Sequence, residues 1–213
     1  MSSTIPNWLY TFRYLETLVH SKNNFHGEIS SSIGNLKALV NLDIYIYIYI
    51  YISDNQLDGK VPNSLGNLCK LMVLDLSKNN FSGSVSEYLK ACLGRMVLLA
   101  LSDNNLSGHL SYQLGNFKNL RLLDFSSNLI SEGVVSEVHF TNLTRLRDFY
   151  ASENLLTLKT SSDWLPPFQL STLFLNSWHL ESSELPAWLQ TQTQLLALNM
   201  SNTTILGTIP TWF

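Results

Sequence analysis

Residues 71–83 read LMVLDLSKNNFSG, and residues 96–108 read MVLLALSDNNLSG. Both stretches place large apolar residues at the first, fourth and sixth positions and an asparagine at the ninth. Related stretches begin at Leu15 and Leu120. Self-similarity of this kind is the sequence signature of a repeat protein, in which each unit packs only against its neighbours. The chain is therefore predicted to form a solenoid built from stacked units.

The asparagines of this pattern define the length of the unit. They are separated by 32, 24, 25, 24 and 26 residues and comprise Asn23, Asn55, Asn79, Asn104, Asn128 and Asn154. Trp178 and Thr203 take the asparagine place in two further units. A 24-residue unit with the pattern LxxLxLxxN is typical of the leucine-rich repeat. We therefore expect the leucines to point into the core and the asparagines to bond backbone groups where the chain leaves each strand.

The predicted fold is an α/β solenoid, a leucine-rich-repeat horseshoe or superhelix with a parallel β-sheet on its concave face. Residues 1–213 are predicted to form a single domain. Residues 4–9, TIPNWL, already read as the second half of a unit, and the chain ends within another unit. We therefore expect a domain that is incomplete at both ends.

The only irregular interval, from Asn23 to Asn55, contains a run of alternating isoleucine and tyrosine. Removal of residues 45–52 restores a spacing of 24 and leaves a regular unit. Because a run of TA dinucleotides encodes alternating Ile and Tyr in every reading frame, we infer an in-frame expansion. An even insertion keeps the two faces of the strand unchanged. The alternative is an adhesive strand that evolved for binding, although the same composition also favours aggregation.

Composition argues against several functions. The net charge is -3 and there is no basic stripe, so nucleic acid is not an expected partner. The five histidines are scattered, and the sequence has no HExxH, P-loop, GxSxG or kinase motif. We therefore predict a protein that is not an enzyme and that has no cofactor and no metal site. We also expect no signal peptide and no membrane-spanning segment within these residues.

The second half of the unit, GKVPNSLGNLCKL in residues 59–71, resembles the plant-specific class of leucine-rich repeats. That class implies a second short strand and 3₁₀ turns on the convex side. Beyond the repeat, DWLPPFQLSTLFLNSWHL (residues 163–180) and LPAWLQTQTQLLALNMSNTTI (residues 185–205) are similar to plant receptor-like proteins of the ethylene-inducing xylanase receptor kind.

This resemblance implies the ligand-binding ectodomain fragment of a receptor-like protein in defence signalling. The implied partners are a protein or peptide ligand of microbial origin and a receptor-kinase co-receptor. The implied location is the extracellular face of the plasma membrane, with no membrane contact by this fragment itself. Two alternatives stay open: a secreted inhibitor of microbial wall-degrading enzymes, and a truncated gene product without function.

In this fold, the variable positions of the strands usually bind the ligand. The candidate ligand-binding residues are Lys78, Asp103, Arg121, Arg147, Tyr150, Glu153, Phe174 and Asn176. Tyr150 and Phe174 occupy the same strand position in neighbouring units, and aromatic residues are favoured interface anchors. Cross-strand aromatic pairs also stabilise sheets, which is the competing interpretation. Asp75 and Asp124 recur in LDLS and LDFS, and we expect them to be structural.

Five N-x-[ST] sequences could accept N-linked glycans in a secreted protein. We predict glycosylation at Asn80, Asn105, Asn142 and Asn202, and an unmodified Asn199, because Asn199 lies on the concave strand.

Cys69 and Cys92 occupy nearly equivalent positions in adjacent units. Two buried free thiols are the preferred interpretation, and a disulfide between them is the alternative.

Overall fold

The computed structural model describes residues 3–37, 49–87 and 94–212. Successive coils of the chain each contribute one three-residue strand to a single eight-stranded sheet, in which all neighbours are parallel and follow in chain order. These strands are β1 (Thr17–Val19), β3 (Tyr49–Tyr51), β5 (Val73–Asp75), β7 (Leu98–Ala100), β9 (Leu122–Asp124), β11 (Asp148–Tyr150), β13 (Thr172–Phe174) and β15 (Ala197–Asn199). The predicted solenoid with a parallel sheet is confirmed.

The returning half of each coil consists of shorter elements. Small strands lie at β2 (His26–Glu28), β4 (Gln56–Asp58), β6 (Ser82–Ser84), β8 (Asn105–Ser107), β10 (Val134–Val135), β12 (Thr157–Leu158) and β14 (His179–Leu180). The 3₁₀ helices are Asn7–Thr11, Ser31–Asn35, Asn63–Asn67, Val85–Glu87, Tyr112–Asn116, Glu137–His139 and Ala187–Thr191. No α-helix occurs in the described residues. This half of the coil therefore has the second strand and the 3₁₀ turns that the resemblance implied.

The core is a stack of the central strand residues. They are almost fully buried and comprise Leu18, Ile50, Leu74, Leu99, Leu123, Phe149 and Leu173. Each lies in register with its counterpart in the next coil. Burial of such a side chain contributes about 1.5–3 kcal/mol. The leucine pattern of the sequence therefore directly specifies the interior of the solenoid.

The end of the Ile/Tyr run forms one of these strands. Ile50 pairs in register with Leu18 on one side and Leu74 on the other, and Ile50 and Ile52 are buried. Tyr51 faces outward and is half-buried. Residues 49–51 of the predicted insertion thus supply the strand and Ile52 follows it, whereas residues 45–48 lie outside the described residues. The insertion itself stays a prediction. Because isoleucine and tyrosine alternate along the whole run, any part of the run could be assigned as the extra residues.

The asparagines form a ladder that joins each coil to the one before. The Nδ2 amide of Asn104 donates to the carbonyls of Leu101 and Ser102 in its own coil and of Leu76 in the preceding coil, at 3.0–3.1 Å. Its Oδ1 accepts the backbone N–H of Phe81 at 2.9 Å. The same pattern recurs in neighbouring coils, at Asn55, Asn79, Asn128 and Asn154. The predicted structural role of these asparagines is confirmed.

Other side chains divide this role where asparagine is missing. The indole Nε1–H of Trp178 donates to the Ala151 carbonyl at 2.7 Å, which reproduces the bond to the preceding coil. The Thr203 hydroxyl donates to the Met200 carbonyl within its own coil at 2.9 Å. Thr204, rather than Thr203, accepts the backbone N–H of Leu180 at 2.8 Å. Alignment of Thr203 with the asparagines therefore identifies the residue that donates within its own coil. It does not identify Thr204, which accepts the hydrogen bond from the preceding coil.

Replacement of Trp178 by phenylalanine is expected to lower the free energy of unfolding more than the same replacement at Trp188. Both indoles are buried, at 1% and 4% exposure, and both pack on other aromatic rings. The Nε1–H of Trp188 has no partner among the described residues, so W188F removes no hydrogen bond. The difference between the two variants, measured by urea denaturation, should be about 0.5–1.5 kcal/mol, the net contribution of one buried hydrogen bond. Equal losses would show that the Trp178 bond to Ala151 is energetically unimportant.

Candidate ligand-binding face

The last residue of each sheet strand points away from the core onto the concave face. Because the strands pair in register, these residues form a row across the sheet. In chain order the row is Val19, Tyr51, Asp75, Ala100, Asp124, Tyr150, Phe174 and Asn199. The row presents aromatic residues in two places, with carboxylates between them.

Tyr150 and Phe174 lie directly opposite each other in this row, as the sequence predicts. Their ring centroids are 5.3 Å apart and the planes meet at 89°, an edge-to-face arrangement. Both side chains are half-buried. The pair therefore combines the mutual support of a cross-strand contact with an accessible aromatic surface.

Tyr51 is a third aromatic residue of the same row, and it was not among the candidates from the sequence. It lies opposite Asp75 of β5. Partial burial, together with the negative charge of Asp75, raises the pKa of the Tyr51 phenol above its ordinary value. The phenol therefore stays neutral and can donate a hydrogen bond at physiological pH. The even period of the Ile/Tyr run is the signal that could have placed this tyrosine on the outer face.

Asp75 and Asp124 cap the turns that follow their own strands. The Oδ1 of Asp75 accepts from the backbone N–H and the hydroxyl of Ser77, at 3.0 and 2.6 Å. The Oδ1 of Asp124 accepts from the backbone N–H of Ser126 at 3.0 Å. Asn199 makes the same contacts to Ser201. The two aspartates have the structural role that the sequence predicts.

Four candidate residues lie beyond the strands, in the turns that leave the sheet. Lys78, Asp103 and Glu153 have φ angles of 54°, 54° and 57°, in the left-handed region. Glu153 accepts a hydrogen bond from the Ser127 hydroxyl at 2.7 Å, and Asn176 accepts one from the Ser152 hydroxyl. These side chains border the concave face rather than line it, so their assignment as ligand contacts stays a prediction.

The two remaining candidates, Arg121 and Arg147, lie at the opposite edge of the sheet. Each precedes its strand, β9 or β11, and each is exposed. The eight sequence candidates therefore separate into a central aromatic pair, an edge of turn residues and an edge of arginines.

The predicted glycosylation positions are on the surface. Asn80, Asn105, Asn142 and Asn202 are all exposed. Asn105 donates a hydrogen bond to the Oδ1 of Asn80, so these two amides are in contact across neighbouring coils. Glycan attachment at the four positions stays a prediction.

Cys69 is exposed and disulfide-bonded. The preferred expectation of a buried free thiol is therefore wrong for Cys69, because this position follows the 3₁₀ turn on the surface of the coil. Cys92, the other cysteine of the chain, lies outside the described residues, so its pairing with Cys69 stays a proposal.

Within residues 3–37, 49–87 and 94–212, no group of His, Cys, Asp or Glu side chains is arranged to hold a metal ion. No helix in the same part of the chain is both long and apolar enough to cross a bilayer.

Comparison with known proteins agrees with the repeat. A family model described as Leucine Rich Repeat matches residues 48–68 and 70–92. Receptor-like protein EIX1 of Solanum lycopersicum is 45% identical over 82 residues, which are 38% of this chain and 8% of that protein. Receptor-like protein 1 of Arabidopsis thaliana is 30% identical over 163 residues, which are 76% of this chain and 13% of that protein.

A solved structure supplies the geometric comparison. The leucine-rich-repeat ectodomain of the Arabidopsis receptor kinase HAESA, in complex with an N-terminal extended IDA peptide hormone ligand, has a TM-score of 0.68 and 25% identity. The match covers 95% of this chain and 36% of that one. The chain thus spans only a small part of each relative's length.

Proposed function

We propose, since this chain is a leucine-rich-repeat protein of the plant receptor-like kind, that its concave sheet binds a protein or peptide ligand. The observation that carries this proposal is the Tyr150–Phe174 pair on the open face of the sheet. Aromatic residues at the centre of an interface commonly supply much of its binding energy. The continuous sheet supports a single repeat domain over residues 1–213 as the binding unit.

The finer proposal is that the ligand is microbial and that binding serves defence signalling. It rests on similarity to receptor-like proteins, of which this chain covers a small part. In this proposal a receptor-kinase co-receptor joins the complex at the extracellular face of the plasma membrane. The fragment binds and positions its ligand and carries out no reaction on it.

Binding of a purified fungal endoxylanase and a purified fungal endopolygalacturonase to the immobilised chain tests this function. We expect at least one enzyme to bind. The double variant Y150A/F174A should weaken that binding by about 100-fold, because each lost aromatic anchor costs roughly 1–2 kcal/mol. Circular dichroism of the variant checks that the solenoid is intact.

The matched control is Y112A. Tyr112 is an exposed aromatic residue on the 3₁₀ helix Tyr112–Asn116, away from the sheet, and its loss should leave binding unchanged. Equal binding by the wild type and Y150A/F174A would overturn the concave aromatic site. Failure of both enzymes to bind would contradict the microbial-enzyme form of the proposal.

The same assay separates perception from inhibition. A bound enzyme that keeps its full hydrolytic activity supports a receptor fragment, whereas stoichiometric loss of activity supports a secreted inhibitor. Absence of the protein from plant tissue, which is a separate measurement, would support the remaining alternative, a truncated gene product without function.

A further inference from the structure

A groove of about 640 Å³ opens at the edge of the sheet where the chain enters β9, β11 and β13. Its walls combine three cations with an apolar loop and an amide, from Arg121, Arg145, Arg147, Pro166, Pro167 and Gln169. We call it the arginine groove. Only two of its arginines stood out in the sequence, because Arg145 lies outside the strand pattern.

Backbone register brings the three arginines together. The N–H of Arg147 donates to the carbonyl of Arg121 at 2.9 Å, so the two residues are neighbours on adjacent coils. Adjacent strands lie about 4.8 Å apart. Arg145 lies in the turn before the buried Leu146, and it lines the same groove as Arg121 and Arg147.

None of the three arginines forms an ion pair within the described residues. All three arginines are exposed. The ion pair found within the described residues, Lys159–Glu181, lies on a different surface. Guanidinium groups held one strand spacing apart repel one another, and a bound anion relieves that repulsion. The net charge of -3 means that the rest of the chain does not attract anions, so the groove is a local exception.

The opposite wall of the groove is apolar and anchored. Phe168 is buried and packs edge-to-face on Phe140 and Trp164, with ring centroids 5.9 and 6.1 Å apart. This packing holds the preceding pair Pro166–Pro167 at the rim, and proline has a fixed φ angle. Gln169 is fixed as well, since its Nε2 donates to the Thr191 carbonyl at 2.7 Å.

Cations beside an apolar wall suit a peptide better than a uniformly polar polymer. The guanidinium fork matches a carboxylate in bidentate geometry, and the proline rim offers surface to the aliphatic part of a glutamate side chain. Arg147 precedes Tyr150 by three residues, a rise of about 10 Å along the strand. One extended segment of about three or four residues could therefore contact both sites.

We propose that the arginine groove binds the side-chain carboxylates of an acidic segment in the peptide or protein ligand. This proposal rests on the proposed function and adds the chemical class of the ligand. The ligand would carry an acidic segment next to an apolar group that contacts Tyr150 and Phe174.

Fluorescence anisotropy with labelled hexaglutamate tests the groove without knowledge of the natural ligand. The peptide is acetylated and amidated, so that its side chains carry its only carboxylates. We expect it to bind, to weaken about tenfold or more between about 20 and about 200 mM NaCl as charges are screened, and to outbind hexaglutamine. The variant R121Q/R145Q/R147Q should lose this binding. The variant R121K/R145K/R147K should retain part of it, since it keeps the charge and loses the fork.

The charge-matched control is R13Q/K37Q/K60Q. It removes three exposed cations that do not line the groove and should leave hexaglutamate binding unchanged. Equal loss in both triple glutamine variants would overturn the proposal, because it would show a general charge effect. Tighter binding of oligogalacturonate than of hexaglutamate would also overturn it, in favour of an acidic polysaccharide.

Different experimental results would contradict the arginine groove and the proposed function. Enzyme binding that depends on Tyr150 and Phe174, without any binding of hexaglutamate, would overturn the groove and leave the proposed function intact. Hexaglutamate binding that depends on the three arginines, without binding of either enzyme, would support the groove and contradict the microbial-enzyme ligand.

Discussion

Deletion of seven residues, 45–51, is expected to unfold the coils around β3, whereas deletion of eight residues, 45–52, is expected to leave the solenoid folded. The eight-residue deletion leaves LDIS before the turn, so that Leu42 and Ile44 take the buried places of Ile50 and Ile52. Asp43 then takes the outward place of Tyr51, which matches Asp75 in the next coil.

The seven-residue deletion leaves LDIIS and shifts the strand by one residue relative to the turn. Asp43 would then fall at the position of Ile50, whose exposure is 0%. A one-residue shift exchanges the two faces of a strand, and an unpaired carboxylate in an apolar core costs several kcal/mol. We expect a loss of about 4 kcal/mol or more of unfolding free energy at β3.

Urea denaturation followed by circular dichroism, with limited proteolysis to locate the cleaved coils, distinguishes the two variants. A six-residue deletion, 45–50, provides a second even control and should behave like the eight-residue deletion. Similar stability of the odd and even deletions would show that β3 does not use the register in which Ile50 lies between Leu18 and Leu74.

The second large effect is expected from N104A. Asn104 is 7% exposed, and its amide makes three hydrogen bonds as donor and one as acceptor, to two coils. Alanine would leave the buried N–H of Phe81 without its acceptor and would remove one of the two side-chain amides that donate to the carbonyl of Leu76, which keeps Asn79. The unsatisfied N–H of Phe81 costs about 1–3 kcal/mol and the lost amide bonds to the carbonyls add to that cost, so the total loss should be about 3 kcal/mol.

N116A is the matched control for this variant. Asn116 is exposed at the end of a 3₁₀ helix, and its replacement should change the free energy of unfolding by less than about 0.5 kcal/mol. Chemical denaturation of both variants measures the difference. Equal midpoints would contradict the energetic importance of the ladder. Repeat arrays can lose two-state behaviour, so the transition should be followed by two spectroscopic probes.

The leucines and asparagines were sufficient to predict the solenoid, because their spacing directly reports which residues enter the core at each turn. The opposition of Tyr150 and Phe174 was also predictable, since equal positions in parallel repeats become neighbours. Asp75 and Asp124 revealed their structural role through recurrence at the same position of two units, in LDLS and LDFS.

Other features needed coordinates. The residue before each ladder position has φ between 51° and 70° in all eight coils, yet the residue types there include lysine, aspartate, serine and glutamate. Such a conformation is set by the turn and not by the side chain. Thr204 was missed because its hydroxyl replaces an amide from one residue further along the chain. The arginine groove was missed because it joins a strand edge to a loop about 20 residues away.

The shared replacement of asparagine in the β13 and β15 coils makes the sheet mechanically uneven. From Asn55 to Trp178, a side-chain donor ties each coil to a carbonyl of the coil before it. In the β15 coil the Thr203 hydroxyl bonds within its own coil, and Thr204 bridges to Leu180 further round the turn. Under tension the β13 and β15 coils would therefore be held by an indole and by hydroxyl groups, whereas the preceding coils are held by asparagine amides. The chemistry that joins the coils therefore changes directly beyond the coil that carries Tyr150.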